Sequence, residues 1–276
     1  EMCIRDINNT SHDFVFASRD NLDLSCLNLI ESFIKARKFD LIINCAAYTE
    51  VDEAEVNQKE SALINHLAVK KIAQVAQERN IKLIHISTDF VFDGFANQPY
   101  VEDDFTNPLN VYGKTKLSGE NAILSIMKFN AIIIRTSWMY SEYGNNFVNT
   151  ILKISQKGQG LKIVSDQTGN PTYANDLVNA IFRILKNKKY KEFKHLSTIF
   201  HYSNEGECTW YDFAEEIINL SKRQIQLEPI QSKNYPFKAK RPKNVSMSKK
   251  KIIDEFGVET IFWKDSLKTF LENLSC

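Results

Sequence analysis

The chain has 276 residues, of which 43% are hydrophobic and 25% charged, a balance typical of globular proteins. This length allows one large α/β domain, or a nucleotide-binding domain with a smaller companion. The formal net charge of +1 argues against general binding to nucleic acid or to acidic membranes. Five scattered cysteines without a C-x-x-C pair indicate reduced thiols, so we expect a cytoplasmic location. No apolar run approaches the roughly 18 residues that a membrane span requires.

Short apolar runs alternate with helix-periodic segments in the first half of the chain. The runs are nearly continuous, as expected for parallel strands that are covered on both faces. The predicted strands are 14–17, 41–45, 82–86 and 131–134. The predicted crossover helices are 27–37, 61–79 and 117–127. This order predicts an α/β fold with a doubly wound, Rossmann-type parallel sheet.

The pattern changes after residue 145. We therefore predict a dinucleotide-binding domain at 1–145. Residues 146–276 should form mainly a smaller C-terminal α/β substrate domain, with some segments returning to the first domain. The expected helices are 146–155, 175–185 and a last one from about 260 or 264, and the expected strands are 161–164 and 199–202. Thr209 and Asp212 approximate a capping box before a further helix, whereas 187–191 and 232–244 indicate a turn and a loop.

The beginning of the sequence lacks the glycine-rich turn that normally follows the first strand of a dinucleotide fold. A side chain there would block the approach of the backbone to the pyrophosphate, yet the first glycine of this chain is Gly94. Residues 2–7 resemble the helix that would follow such a loop. Two explanations stay open: the sequence lacks the first strand and loop, or the protein lacks the loop and binds cofactor weakly or not at all.

Tyr112 and Lys116 are spaced i, i+4, so on a helix both side chains share one face. A nearby ammonium should lower the pKa of the tyrosine, which suits proton transfer. Thr88, at the end of a predicted strand, could orient the substrate oxygen. A second Tyr-x-x-x-Lys, Tyr190 to Lys194, has no strand leading into it, and we interpret it as incidental.

Several blocks resemble those of the dTDP-4-dehydrorhamnose reductases, which are extended short-chain dehydrogenases/reductases. The similarity runs in register from about residue 14 to the C-terminus. The blocks are NCAAYTEVD at 44–52, STDFVFDG at 87–94, NVYGKTK at 110–116, RTSW at 135–138, DQTGNPT at 166–172 and AKRP at 239–242.

The resemblance implies reduction of the C4 keto group of dTDP-4-dehydro-L-rhamnose by NADPH, which gives dTDP-L-rhamnose. Tyr112 would be the proton donor, Lys116 its partner and a ribose ligand, and Thr88 the third catalytic residue. The implied cofactor contacts are Asp23 and Leu24 beside the adenine, and Ala46, Ala47 and Tyr48 along the cofactor.

The implied substrate contacts are Thr88, Asp89 and Trp138. Trp138 could instead belong to the core, and Asp89 could cap a turn. Phe90 stands where the family often has Tyr, which removes one hydroxyl contact to substrate.

Two features bear on the charge of the ligands. Ser18 and Arg19 follow the predicted strand 14–17, where an acidic residue would repel a 2′-phosphate, so we favour NADPH and leave NADH open. A surface role for Arg19 is the alternative. Four basic residues could neutralise a nucleotide-sugar diphosphate or form a solvated loop: Lys238, Lys240, Arg241 and Lys243.

The sequence also allows other functions. The chain could be a reductase or epimerase for another nucleotide-sugar, or a non-catalytic NADP-binding subunit like the regulatory subunit of methionine adenosyltransferase. A homodimer is a candidate assembly. We predict no metal site, because the histidines are far apart and match no ligand spacing.

Overall fold

The computed structural model describes residues 12–158, 160–191 and 196–274. The predicted helix at 2–7 lies outside these residues, as does Lys194 of the second Tyr-x-x-x-Lys. Ten strands are described: β1 Leu41–Asn44, β2 Lys82–Thr88, β3 Ala131–Thr136, β4 Met139–Tyr140, β5 Leu161–Val164, β6 Thr168–Gly169, β7 Thr172–Tyr173, β8 Thr198–His201, β9 Cys208–Thr209 and β10 Leu227–Ile230.

The helices within the same residues begin with α1 Leu27–Lys35, α2 Val51–Ala54 and α3 Gln58–Ala62. A π-helical segment at Leu63–Ala68 joins α3 to α4 Val69–Glu78. The remaining helices are α5 Val111–Ile126, α6 Phe147–Ser155, α7 Ala174–Lys186, α8 Lys188–Lys191, α9 Trp210–Leu220, α10 Lys250–Phe256 and α11 Trp263–Leu274. None of the described helices is long and apolar enough to cross a membrane.

The main sheet has four parallel strands in the order β1-β2-β3-β8. All seven residues of β2 and all six of β3 are buried, which is why these strands read as continuous apolar runs. Helices α4 and α5 pack together on one face of the sheet and α7 packs on the other. The predicted doubly wound parallel sheet is therefore confirmed.

The predicted strand at 14–17 is wrong. In the structure these residues form no ladder with any described strand, and the side chains of Val15 and Phe16 are 51% and 40% exposed. An apolar run becomes a strand only when a neighbouring backbone pairs with it, and the described residues supply no neighbour at this point.

The second half of the chain builds a separate aromatic cluster and also supplies one strand of the main sheet. Tyr140, Tyr173, Phe213 and Phe270 pack against one another with ring centroids 5.3–5.9 Å apart. Strand β8 then joins β3 in the main sheet. The side chain of Thr209 and that of Asp212 form the predicted capping box at the start of α9.

The lysine-rich segment at 187–191, predicted as a turn, contains the short helix α8. Lys189 on this helix forms an ion pair with Glu255, at 3.1 Å, and the ring of Tyr190 is buried in the core. The packing of Tyr190 explains why this polar segment follows α7 closely instead of extending into solvent. Strand β10 and helix α10 were not predicted, because neither has a distinctive periodicity in its short sequence.

Candidate active site

Thr88 and Asp89 lie where β2 ends. The Oγ1 atom of Thr88 accepts a hydrogen bond from the backbone N–H of Phe90 at 3.2 Å, which starts a tight turn. The same hydroxyl donates to Oδ1 of Asp89 at 2.9 Å. Both side chains are buried, so the turn places two buried polar groups at the carboxyl end of β2. This is the edge at which open α/β sheets bind ligands.

Helix α5 begins six residues earlier than predicted and brings Tyr112 to this edge. The side chain of Asn110 caps the helix by accepting a hydrogen bond from the backbone of Gly113 at 2.8 Å. Gly113 is needed there, because a Cβ atom would lie 2.2 Å from the carbonyl oxygen of Phe90. The close approach brings the hydroxyl of Tyr112 beside the side chain of Thr88.

The expected lowering of the pKa of Tyr112 by Lys116 is wrong for this structure. Burial of the hydroxyl raises the pKa of Tyr112 to about 12, and the carboxyl of Asp89 adds to the rise, while the interaction with the Thr88 side chain opposes it. Tyr112 is therefore a neutral phenol at neutral pH. A neutral phenol holds the proton that a reduction must deliver to the product oxygen.

Lys116 lies on the same face of α5 and is only 2% exposed. Its Nζ atom donates to the carbonyl of Ile86 at 2.6 Å and lies 3.5 Å from Nε2 of His85. Burial lowers the pKa of Lys116 to about 8, against the opposing charges of Glu120 and Cys45. The pKa of Lys116 is thus close enough to neutral pH for the side chain to exchange a proton.

Asp89 is the second buried acid of the site. Burial raises the pKa of its carboxyl to about 7, although Thr88 and the backbone N–H groups of the turn favour the charged form. Its Oδ2 atom is buried and has no hydrogen-bond partner in the structure. A buried oxygen of this kind is costly to leave unpaired, so it suits a hydroxyl of a bound ligand.

The loop after β1 contains Ala46, Ala47 and Tyr48. The backbone N–H of Ala46 donates to the side chain of Asn44 at 3.2 Å. The side chain of Asn65 accepts from the backbone of Tyr48 at 2.8 Å and donates back to its carbonyl at 3.0 Å. Asn44 and Asn65 thus fix the backbone of the loop, in which Ala46 is exposed and Ala47 is partly buried.

Sequence reasoning missed Asn44, Asn65 and His85, whose side chains contact the residues of this site. Asn65 lies in the π-helical segment, where one extra residue per turn rotates its side chain toward the loop and α5. The signal was present: Asn65 interrupts an apolar helical run, and His85 interrupts the apolar run of β2. A polar residue inside such a run needs a partner when it is buried.

Trp138 has a strained backbone conformation. Its φ of 45° is in the left-handed region, which non-glycine residues adopt rarely and often at functional sites. Its ring stacks on Trp210 with centroids 3.6 Å apart, and Gly169 lies beneath it, with no room for a Cβ atom. Trp138 is partly buried, so part of the stack remains accessible.

The basic segment 238–243 closes one side of a cavity of about 430 Å³. Arg241 forms a bidentate ion pair with Asp52, and Lys238 pairs with Glu53 at 2.7 Å. Two of the four predicted cations therefore already have carboxylate partners. Lys240 and Lys243 form no ion pair within the residues described and also line the cavity.

Arg19, Asp23 and Leu24 lie on the segment that precedes α1. Arg19 is exposed. The carboxylate of Asp23 accepts from the backbone of Ser25 at 2.9 Å, and this hydrogen bond lowers the pKa of Asp23. Leu24 packs against the cluster that includes Ile30. Among the described residues, no group of three His, Cys, Asp or Glu side chains could hold a metal ion.

A profile of the RmlD substrate binding domain family matches residues 3–276, nearly the whole chain. The chain belongs to this family. A dTDP-4-dehydrorhamnose reductase from Sinorhizobium fredii is 38% identical over 91% of this chain and 86% of its own length.

Two solved structures of dTDP-4-dehydrorhamnose reductases are similar over their whole folds. The one from Clostridium acetobutylicum has a TM-score of 0.93 and 32% identity, covering 100% of this chain and 95% of that chain. The one from Bacillus anthracis, in complex with NADP, has a TM-score of 0.88 and 30% identity, covering 95% and 90%. The resemblance predicted from the six sequence blocks is confirmed.

Proposed function

We propose that this chain reduces the C4 keto group of dTDP-4-dehydro-L-rhamnose with NADPH, giving dTDP-L-rhamnose. The observation that carries the proposal is the position of the Tyr112 hydroxyl beside Thr88 at the end of β2, with Lys116 one helical turn further on. Relatives that match almost the full chain are named for the same substrate.

NADPH fits the residues that are present. Ala46 and Ala47 leave room beside the cleft, and the buried amine of Lys116 can hold the hydroxyls of a ribose. Arg19 is exposed and has no carboxylate in an ion pair within the described residues, so it can meet a 2′-phosphate. Asp23 and Leu24 would lie beside the adenine. We infer this placement from the resemblance together with the open surface around Arg19.

The bound cofactor supplies the hydride, and the protein supplies orientation and the proton. The substrate carbonyl oxygen would lie between the hydroxyls of Thr88 and Tyr112. Tyr112 then gives its proton to the oxygen as negative charge develops there. Thr88 has one hydroxyl hydrogen, which it donates to Asp89. It can donate to the substrate oxygen only if that hydrogen bond to Asp89 breaks on binding.

The remaining contacts would hold the sugar nucleotide. The unpaired Oδ2 of Asp89 accepts a sugar hydroxyl, and the edge of Trp138 packs against the sugar ring. Lys240 and Lys243 line the cavity beside Arg241 and would face the diphosphate. Because Arg241 is paired with Asp52, its contribution is to fix this segment and to supply any N–H that the pair leaves unused.

The decisive test of the reaction is the fate of the transferred hydrogen. NADPH that carries deuterium at both hydrogen positions of nicotinamide C4 should give dTDP-L-rhamnose with deuterium at C4 of the sugar, as read by mass spectrometry and NMR. Deuterium at another carbon, or none, would contradict the proposed reduction.

The same assay separates the alternatives. Another nucleotide-sugar that is turned over with a higher kcat/KM would identify a reductase of different specificity. Cofactor binding without any turnover would favour a non-catalytic subunit, although the intact trio of Thr88, Tyr112 and Lys116 supports catalysis. The homodimer and the cytoplasmic location remain predictions.

A further inference from the structure

The imidazole of His85 lies between the side chains of Lys116 and Asn44 and contacts both. The imidazole is fully buried in β2, and Nδ1 lies 3.1 Å from the side-chain nitrogen of Asn44. On its other side, Nε2 lies 3.5 Å from Nζ of Lys116. The three side chains form one buried line from β1 through β2 to α5.

The orientation of the Asn44 amide fixes the tautomer of His85. The backbone N–H of Ala46 can only donate, so the atom that it meets at 3.2 Å must be the amide oxygen of Asn44. The amide NH₂ group therefore faces His85 and donates to Nδ1. A neutral imidazole that accepts at Nδ1 carries its hydrogen on Nε2, which points at Lys116.

This arrangement places a donor in front of the Lys116 nitrogen. An ammonium has hydrogens and no lone pair, so it would oppose the Nε2–H, whereas a neutral amine can accept from it. We propose that His85 is a positioning residue for Lys116: Asn44 fixes its imidazole as the Nε2–H tautomer, and this N–H faces the Lys116 nitrogen, where it favours the amine over the ammonium. The tautomer stands independently of the reaction, whereas its importance for turnover rests on the proposed function.

The charged groups around Lys116 make this contact significant. Glu120, one turn further along α5, and Cys45, after β1, both favour the ammonium, while burial opposes it and lowers the pKa of Lys116 to about 8. Burial and the charge of Lys116 together hold the pKa of His85 well below its ordinary value, so the imidazole stays neutral. His85 therefore shifts the balance of Lys116 toward the amine without competing for the proton.

NMR tests the tautomer on the complete protein, without substrate. Long-range ¹H–¹⁵N correlations of the histidine rings should show Nε2–H with an unprotonated Nδ1 for His85 across the neutral range. The resonance is assigned by its loss in His85→Asn. An Nδ1–H tautomer or an imidazolium would overturn the proposal.

Titration of ¹³Cε-labelled lysines tests the effect on Lys116, whose resonance is assigned by its loss in Lys116→Met. In His85→Asn the shorter side chain can still meet Asn44 but no longer reaches Lys116. The pKa of Lys116 should then rise by about one unit, the effect of losing one hydrogen bond to the amine. Lys82, at the other end of β2 and also buried, is the internal control and should titrate unchanged.

A second variant keeps the test decisive if His85→Asn does not fold. In Asn44→Asp the carboxylate can still accept from Ala46 but now requires a hydrogen on Nδ1, which turns Nε2 into an acceptor for the ammonium. Inversion of the tautomer to Nδ1–H in this variant supports the proposal. A folded variant that keeps the Nε2–H tautomer overturns it, whether or not the protein reduces any sugar nucleotide.

Discussion

Arg241 forms a bidentate ion pair with Asp52, in which Nη1 and Nη2 each lie 3.0 Å from a carboxylate oxygen. The same carboxylate accepts from the backbone N–H groups of Lys238 and Ala239, at 3.0 and 2.9 Å. The carbonyl of Lys240 meanwhile accepts from Asn110, the cap of the helix that carries Tyr112. The basic segment thus connects α2 to α5, the helix that carries Tyr112.

Asp52→Asn should destabilise the protein by about 1 to 2 kcal/mol, since it weakens a partly buried pair and its backbone hydrogen bonds. Urea unfolding measures this difference. Glu53→Gln is the matched control, because Glu53 pairs with Lys238 at a site where both side chains are about half exposed, and it should change stability by less than about 0.5 kcal/mol. Equal effects of the two changes would contradict the account.

The ion pair between Asp52 and Arg241 should also make the stability of the protein depend on pH. Burial alone would raise the pKa of Asp52, but Arg241 and the two backbone N–H groups outweigh it and hold this pKa below the ordinary value. A carboxyl with a lowered folded pKa contributes stability that is present above its unfolded pKa and is lost as the pH falls through the folded value. The difference between the parent and Asp52→Asn should therefore shrink below about pH 4.

Lys116→Met should stabilise the fold at pH 7 while it abolishes efficient turnover. The folded pKa of Lys116 is about 8 against an ordinary 10.5, so keeping the ammonium buried costs about 3 kcal/mol at neutral pH. This cost is fully present below pH 8 and disappears as the pH rises toward 10.5, where both states are uncharged. Thermal or urea unfolding of both proteins from pH 7 to 10 tests whether their difference narrows. A constant difference would mean that Lys116 titrates normally.

Gly113→Ala should lower kcat by about 10- to 100-fold, because a displacement of the helix start by an ångström is enough to disturb catalytic geometry. The added Cβ atom would lie 2.2 Å from the carbonyl oxygen of Phe90, which forces α5 away from Thr88. Ser118→Ala on the same helix is the control, since its hydroxyl donates only to the backbone of Lys114. Unchanged kcat in a folded Gly113→Ala would show that the close approach is not needed.

Arg19→Ala should raise the KM for NADPH by about tenfold or more and leave the KM for NADH nearly unchanged. A charge-assisted hydrogen bond to a 2′-phosphate contributes about 1.5 to 3 kcal/mol, and NADH has no such phosphate to lose. Steady-state kinetics with both cofactors give the ratio. Arg37→Ala serves as the control, because this arginine packs over the ring of Phe33 on α1. An equal rise for both cofactors would assign Arg19 another role.

Local chemistry made part of this site predictable. The spacing of Tyr112 and Lys116 is a property of a single helix, and the cap that places them, Asn110, is two residues away in sequence. The buried strands β2 and β3 were equally visible, because they are covered on both faces and carry no alternation.

The features that escaped prediction join distant parts of the chain. His85 meets Asn44 across 41 residues and Lys116 across 31, and Arg241 meets Asp52 across 189. Nothing in the local sequence specifies those pairings. The strand predicted at 14–17 failed for the same reason, since its hydrophobicity was correct but strand formation requires a partner backbone.

The most direct test of the account is NADPH oxidation by this chain with dTDP-4-dehydro-L-rhamnose, measured beside Tyr112→Phe. We predict turnover by the parent and a loss of about 10²- to 10⁴-fold in kcat for the variant, the range expected when a general acid is removed. Cofactor binding should be similar in the two proteins. Absence of turnover by a parent that binds NADPH, or equal turnover by the variant, would contradict the central claim that Tyr112 delivers the proton in this reduction.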